Sequence, residues 1–300
     1  MRYLRPLLTG VVALVLVLPV STAKPQVLFR TAQHHWMIVP AYINGRGPFD
    51  FLVDTGTNTT LIDVNLAAEL ELKPAGRALL TSFTGSEVVP RYLLGSLSVE
   101  AKSVAGLPAL AQDMRVVQGV DPRIRGILGL DFLSEFAFLL DYGLQQMELY
   151  DPFEAPKFAA GTQVPIQVVG SRILIVTATK ASVSGSWSLA LDSGTPKIAV
   201  FENRIRGSPD SPWNWDGKVR VVTHLSSFPA YTCTVRELAL ANLRLRNLAV
   251  IILPTNPGLQ NGIEDGLLPA ALFRRILVNA KQNYAILEVE SSVLREHPKR

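Results

Sequence analysis

Cysteine is all but missing: Cys233 is the one cysteine among 300 residues. No intrachain disulfide can therefore staple the chain, and stability has to come from packing. Cys233 itself sits in an alternating apolar and polar stretch, the setting of a small buried strand residue rather than of a nucleophile. Histidine is scarce as well, with four in the chain. His34 and His35 are adjacent, and neighbouring strand residues point to opposite faces, a poor start for a zinc site of three or four ligands. No metal and no cofactor is expected. Charged residues make up only 18% of the chain, and neither half gathers its basic residues into the face that nucleic acids require. A nucleic-acid partner is not expected either.

A long hydrophobic span is also absent. The run from Leu7 to Val20 covers 14 positions and includes Pro19, whereas a membrane helix needs about 20 apolar residues. With Arg2 and Arg5 before it and Ser21 and Ala23 after it, residues 1–23 read as a secretory signal peptide. No cysteine follows the small-residue site, so a lipid anchor is not expected. The expectation is an exported, soluble protein, periplasmic or secreted, without stable membrane insertion once the signal is cleaved. Removal of residues 1–23 takes two arginines and leaves a net charge near +2.

What the chain does contain is a repeated carboxylate. FLVDTGTNTTLI at 51–62 and LALDSGTPKIAV at 189–200 each run an apolar strand into Asp-Thr/Ser-Gly. One copy would be an ordinary turn, because Asp, Thr and Gly are common turn residues. Two copies at matching positions of the two halves point to paired carboxyls, Asp54 and Asp192. Two carboxyl groups held together cannot both ionise cheaply, so they share a proton and titrate as a unit. One can then take a proton from water while the other, protonated, polarises an amide. Gly56 and Gly194 allow a tight turn and close approach of another segment, and Thr55 and Ser193 supply hydroxyls for hydrogen bonds across the junction.

The surroundings repeat too. WMIVPAYINGRGPFDF reads as strand, Asn-Gly turn and strand, followed by a short amphipathic helix near Val64 to Leu72. RALLTSFTGSEVVPRYLL is an alternating hairpin with Thr84 and Gly85 in its turn. LGSLSVEAKSVAGL gives another strand pair, ILGLDFL a turn into a helix, and FLLDYGLQQMELYD a closing hairpin. In the second half RILIVTATKASVSGSWSLALDSG, VRVVTHLSSFPAYTCTV, LALANLRLRNLAVIILP, DGLLPAALF and ILVNAKQNYAILEVE follow in the same order. Asp141 and Asn279 are as far apart as Asp54 and Asp192. The chain reads as a duplicated all-β lobe, residues 24–155 and 156–300, with a linker near Asp151 to Gly161. Asp50 reads as solvating a strand face, and Trp213 and Trp215 in SPWNWDGK read as loop residues.

On these residues the sequence resembles retropepsin-like and pepsin-like aspartyl proteases with both lobes in one polypeptide, over roughly residues 27–290. The resemblance implies an all-β acid-protease fold of pseudo-twofold β-barrel lobes with a few short helices. It implies an aspartic endopeptidase acting on polypeptides, with Asp54 and Asp192 as the dyad. Thr55 and Ser193, with Gly56 and Gly194, would support it; Phe83, Thr84, Gly85 and Ser86 would form a flap tip; Ile127, Leu128 and Gly129 would form an apolar turn beneath the Asp54 loop. A monomer is expected. The detailed pattern resembles bacterial exported retropepsin-like proteins more than eukaryotic pepsins, and the tyrosine usual in eukaryotic flaps is absent from Phe83 to Ser86.

Two features of the second half depart from that pattern. Glu264-Asp265-Gly266 stands where the apolar-apolar-Gly turn is expected, so its acids are expected either to face solvent, with a slip that hands the packing positions to Leu267 and Leu268, or to pair with Arg274 or Arg275. The hairpin around His224 to Pro229 lacks glycine and reads as too stiff or too short for a flap. Two alternatives follow: a non-catalytic peptide-binding relative with a drifted second lobe, and a homodimer that uses only Asp54.

Overall fold

Strand-forming alternation dominates the chain and resolves into three sheets in the structure, a computed structural model that describes residues 27–32, 35–82, 85–157, 160–179, 186–204, 214–222, 227–254 and 263–289. The first half supplies β1 (Val27–Leu28), β2 (Arg30–Ala32), β3 (Trp36–Ile43), β4 (Arg46–Val53), β5 (Leu61–Asp63), β6 (Pro74–Ser82), β7 (Gly85–Val99), β8 (Lys102–Gln112), β9 (Ile124–Leu128), β10 (Ala137–Asp141) and β11 (Gln146–Tyr150). The second supplies β12 (Thr162–Pro165), β13 (Gln167–Val169), β14 (Arg172–Thr179), β15 (Ser186–Asp192), β16 (Ile198–Phe201), β17 (Asn214–Val222), β18 (Ser227–Leu240), β19 (Leu243–Leu253), β20 (Gly266–Pro269), β21 (Arg275–Asn279) and β22 (Tyr284–Glu288).

Each half folds into an eight-stranded sheet of the same topology. The order β2-β3-β4-β9-β5-β8-β7-β6 is matched by β13-β14-β15-β20-β16-β19-β18-β17, and the cross-pairing β3–β7 by β14–β18. The duplication read from the sequence is therefore a duplication of strand order. A third, six-stranded sheet, β1-β11-β10-β21-β22-β12, joins the halves. Its central pair runs antiparallel with Leu139 opposite Leu277 and Asp141 opposite Arg275. Leu139 and Leu277 are separated by the same 138 positions that separate Thr55 from Ser193, so the local twofold of this sheet and that of the site coincide in sequence.

Turn chemistry sets the hairpins. Asn44 and Gly45 both take positive φ, 51° and 75°, the two left-handed residues of a type I′ turn between β3 and β4. The helix expected near Val64 is α1 (Val64–Glu69), with Asp63 as its N-cap accepting the Asn65 N–H at 2.6 Å. α2 (Arg115–Gln118) and α3 (Leu130–Leu133) complete the helices of the first half. β10 is buried at every position because it is covered on both faces, whereas β11 alternates. A main core cluster draws residues from both halves, among them Val53, Phe138, Leu191 and Val278. Each such side chain contributes roughly 1.5–3 kcal/mol on burial. Cys233 is fully buried in this core.

Three expectations about the second half are corrected. Trp215 lies in the edge strand β17 opposite Cys233, not in a loop, because a bulge between Trp215 and Gly217 lets the strand absorb its irregular Asp-Gly. The second hairpin is not short: β17 and β18 have 9 and 14 residues against 9 and 15 for β6 and β7. Glu264 and Asp265 depart from expectation as well, in the ladder beneath Asp192. Residues 1–23, Phe83, Thr84, His34, Trp213 and His224 lie outside the described residues. No helix among the described residues is long and apolar enough to cross a membrane.

Candidate active site

Asp54 and Asp192 stand at the ends of β4 and β15, each strand buried over its last three residues. Both strands are flanked by a parallel partner. Val53 lies opposite Leu128 and the Asp54 N–H donates to the Leu128 carbonyl at 3.1 Å, while Leu191 lies opposite Leu268 and Asp192 opposite Pro269. Ile127 and Leu128 thus lie beneath the first loop, and Gly129 is tightly packed, since a Cβ there would come within 2.8 Å of the Thr59 backbone.

The same ladder identifies their true counterparts. Gly126 pairs with Phe51 and Gly266 with Leu189, so Ile127-Leu128-Gly129 corresponds to Leu267-Leu268-Pro269, and the second lobe keeps an apolar pair under its aspartate. Glu264-Asp265-Gly266 is not that turn. Leu267 and Leu268 are buried, as the slip required, yet the two acids do not simply face solvent. Glu264 is 6% exposed and pairs with Arg172 at 3.8 Å; Asp265 pairs with Arg204 at 2.9 Å and accepts the Ser188 N–H at 2.8 Å. Arg274 and Arg275 instead grip Glu288. A buried carboxylate needs a partner, and the fold supplies one that lies far away in sequence.

The loops are locked to each other by a reciprocal exchange. The Thr55 N–H donates to Ser193 Oγ and the Ser193 N–H to Thr55 Oγ1, both at 3.0 Å. The Thr55 hydroxyl then donates to the Leu191 carbonyl at 2.9 Å and the Ser193 hydroxyl to the Val53 carbonyl at 2.8 Å. Both residues are buried, so each hydroxyl is fully used as donor and acceptor. The two glycines are required by contact rather than by φ: a Cβ on Gly56 would lie 2.6 Å from Asp192 Cγ, and one on Gly194 3.1 Å from Asp54 Oδ1.

Within this frame the two carboxyls are in contact but differently held. Asp54 accepts the Gly56 N–H at 2.8 Å and the Thr57 hydroxyl at 2.7 Å, and is partly exposed. Asp192 accepts the Gly194 N–H at 2.7 Å, while the equivalent Thr195 hydroxyl turns to the Lys197 carbonyl. Burial, and then the charge of Asp54, push Asp192 far above the ordinary carboxylate range, to about 8; the Gly194 N–H and Arg172 oppose this. Burial and the neighbouring carboxyl thus favour the protonated form of Asp192.

Four supporting elements escaped the sequence reading. Thr57 had a signal, since Asp-Thr/Ser-Gly is followed by threonine in both halves. Asp131 accepts both the Thr60 N–H and its hydroxyl, at 2.8 and 2.7 Å, tying the Asp54 loop to α3; burial raises its pKa. The equivalent positions in the second lobe are Ile198 and Ala271, so this brace is one-sided. Trp36 donates its indole N–H to the Gly194 carbonyl at 3.0 Å, and Arg172 donates to the Gly56 carbonyl. Of the residues read as a flap tip, Gly85 and Ser86 open β7, paired with Ser82 and Thr81 across the turn, and the Thr81 and Ser86 hydroxyls are 3.0 Å apart.

Asp50 pairs with Arg30 at 2.6 Å, away from the dyad, and His35 is buried beside Trp36. No group of metal-ligating side chains is assembled among the described residues.

Residues 39–132 match the aspartyl protease family. Over 90% of the chain the fold resembles basic 7S globulin from soybean, with 96% of that chain covered, 8% identity and a TM-score of 0.52. It also resembles an aspartic proteinase from Irpex lacteus, with 90% and 98% coverage, 11% identity and a TM-score of 0.51. No curated protein matches the sequence. The chain has the all-β, two-lobed aspartic-proteinase fold, and the match to the aspartyl protease model falls within its first lobe.

Proposed function

We propose that this chain, with its two-lobed aspartic-proteinase fold, is an aspartic endopeptidase in which Asp54 and Asp192 activate a water against a peptide bond. The observation that carries the reading is the unequal environment of two touching carboxyls: two donors on Asp54, and burial with one donor on Asp192. Ionised Asp54 takes a proton from water as the water oxygen attacks the scissile carbonyl carbon. Asp192 gives its proton to the carbonyl oxygen, so that a neutral tetrahedral diol forms. Collapse of the diol breaks the C–N bond; the nitrogen leaves with the proton held by Asp54, and one diol hydroxyl returns a proton to Asp192. The Thr55 and Ser193 exchange holds the two loops in place, which is the positioning that such a step demands.

The substrate proposed is an extended polypeptide, entering under the β6–β7 hairpin as a flap. With residues 1–23 read as a signal, the proposed site of action is outside the cytoplasm, in the periplasm or the medium, and the proposed active species is a monomer. Incubation with a diverse peptide library at several pH values, with and without a statine-type inhibitor, tests the activity by mass spectrometry of the products. Inhibitor-sensitive cleavage supports it. Binding without any cleavage favours a peptide-binding relative, and cleavage retained by purified Asp192→Asn favours a homodimer that uses Asp54 alone.

A further inference from the structure

Trp36 and Arg172 hold equivalent places. Ile38 pairs with Leu52, two residues before Asp54, and Leu174 with Ala190, two residues before Asp192; Trp36 and Arg172 each precede that pair by two. Both reach across to the aspartate loop of the other lobe, Trp36 to the Gly194 carbonyl and Arg172 to the Gly56 carbonyl. One arm is a neutral indole and the other a permanent cation. Arg172 leaves a tight turn in which Gly170 and Ser171 both have positive φ, and the Asn58 amide donates to the Gly170 carbonyl at 3.2 Å, so its backbone is anchored to the first lobe.

We propose that Arg172 is a positioning residue for the dyad. It fixes the Asp54 loop through the Gly56 carbonyl and holds a positive charge beside Asp192, and Glu264 behind it sets how much of that charge Asp192 feels. The geometry supports each part. Gly56 is the residue whose backbone abuts the Asp192 carboxyl, so a guanidinium on its carbonyl sits at the edge of the dyad. Glu264, buried and 3.8 Å from Nε, lies on the same side chain. In a poorly solvated site such charges act at a low effective dielectric. Among the described residues the other titratable groups facing Asp192 are Asp54 from the opposite loop and Tyr142, which follows β10. The Tyr142 hydroxyl is buried with no hydrogen-bond partner among the described residues, and burial first, then Asp192 and Asp54, raise its pKa. Asp265, next to Glu264, is held by Arg204 and the Ser188 N–H.

The inference rests on the dyad reading above, and its test does not need turnover. The full chain, labelled with 13C at the aspartate carboxyl and assigned with Asp54→Asn and Asp192→Asn, is titrated by NMR in the wild type and in Arg172→Met, Arg172→Lys and Glu264→Gln. Loss of the cation should move the upper dyad titration up by about half a pH unit or more, and loss of the anion behind it should move it down by a similar amount. Lysine should restore the titration and leave the Gly56 carbonyl less well held, so that kcat falls with the pH limbs in place. Unchanged titrations in Arg172→Met and Glu264→Gln, or shifts of the same sign, overturn the proposal. If Arg172→Met does not fold, the downward shift in Glu264→Gln decides alone. A protein that cleaves no peptide but shows the opposed shifts would sink the protease reading and leave this inference standing.

Discussion

The backbone of Gly56 lies against the carboxyl of Asp192, so close that a methyl group at position 56 would stand 2.6 Å from its Cγ. At position 194 the corresponding distance to Asp54 Cγ is 3.2 Å, which leaves room for a small shift. Gly56→Ala should therefore separate the two carboxyls and abolish hydrolysis, while Gly194→Ala should keep a measurable fraction. Comparison of kcat/KM for the two variants, with circular dichroism to confirm folding, checks this order; equal losses would contradict it.

Each aspartate is expected to be indispensable. Asp54→Asn leaves no ionised base and Asp192→Asn no proton donor, so each should lower kcat by at least about a thousandfold, in line with removal of acid–base groups, without loss of the fold. Steady-state assays at the pH of maximal wild-type activity measure it.

The buried proton also predicts a pH dependence of stability. Burial and the charge of Asp54 hold the folded pKa of Asp192 at about 8, well above the ordinary carboxylate range. The native state keeps a proton that the unfolded chain gives up, so this group's contribution is fully present below about pH 4 and is lost as pH rises to about 8. The slope is at most about 1.4 kcal/mol per pH unit. Asp192→Asn should remove that slope and gain on the wild type at neutral pH in chemical denaturation. Asp121, held down to about 2 chiefly by Arg123 and further by Arg30, works in the opposite sense: its contribution is present above about pH 4 and is lost as pH falls towards 2.

The loop exchange predicts a stability effect. Thr55→Val deletes the hydroxyl that accepts from the Ser193 N–H and donates to the Leu191 carbonyl. Two buried polar groups are left without a partner, at a cost of about 1–3 kcal/mol each. Thermal unfolding should show the loss, and because the loops carry the dyad, kcat should fall as well. Thr55→Ser should recover most of both.

Gly85 takes φ +151° with open space around it. Gly85→Val strains the backbone without a clash. If the β6–β7 hairpin closes over substrate, turnover should fall more than the melting temperature does, since closure gates many enzymes. A matching change at Gly45, a positive-φ glycine of the β3–β4 turn with open space around it, serves as the control; equal effects would make the hairpin merely structural.

Much of this protein could be read in its residues. The repeated Asp-Thr/Ser-Gly, the Asn44-Gly45 turn, the short helix near Val64 and the duplicated order of hairpins are local patterns, in which a fixed period or turn chemistry specifies conformation. Their symmetry carried over into strand order without exception. What adds no local pattern stayed hidden. Aligning Glu264-Asp265-Gly266 with Ile127-Leu128-Gly129 failed because the parallel ladders β4–β9 and β15–β20 set the register, and the second lobe carries two more residues before that strand. Composition could not say that Glu264 would meet Arg172, or that Trp36 and Arg172 would cross to opposite loops. Glu264 and Arg172 meet through the sheet of the second lobe, which sets β14, β15 and β20 side by side, and the crossed contacts form only when the two lobes dock about their shared axis. The same docking buries Asp192 more deeply than Asp54, an asymmetry that two nearly identical motifs do not contain.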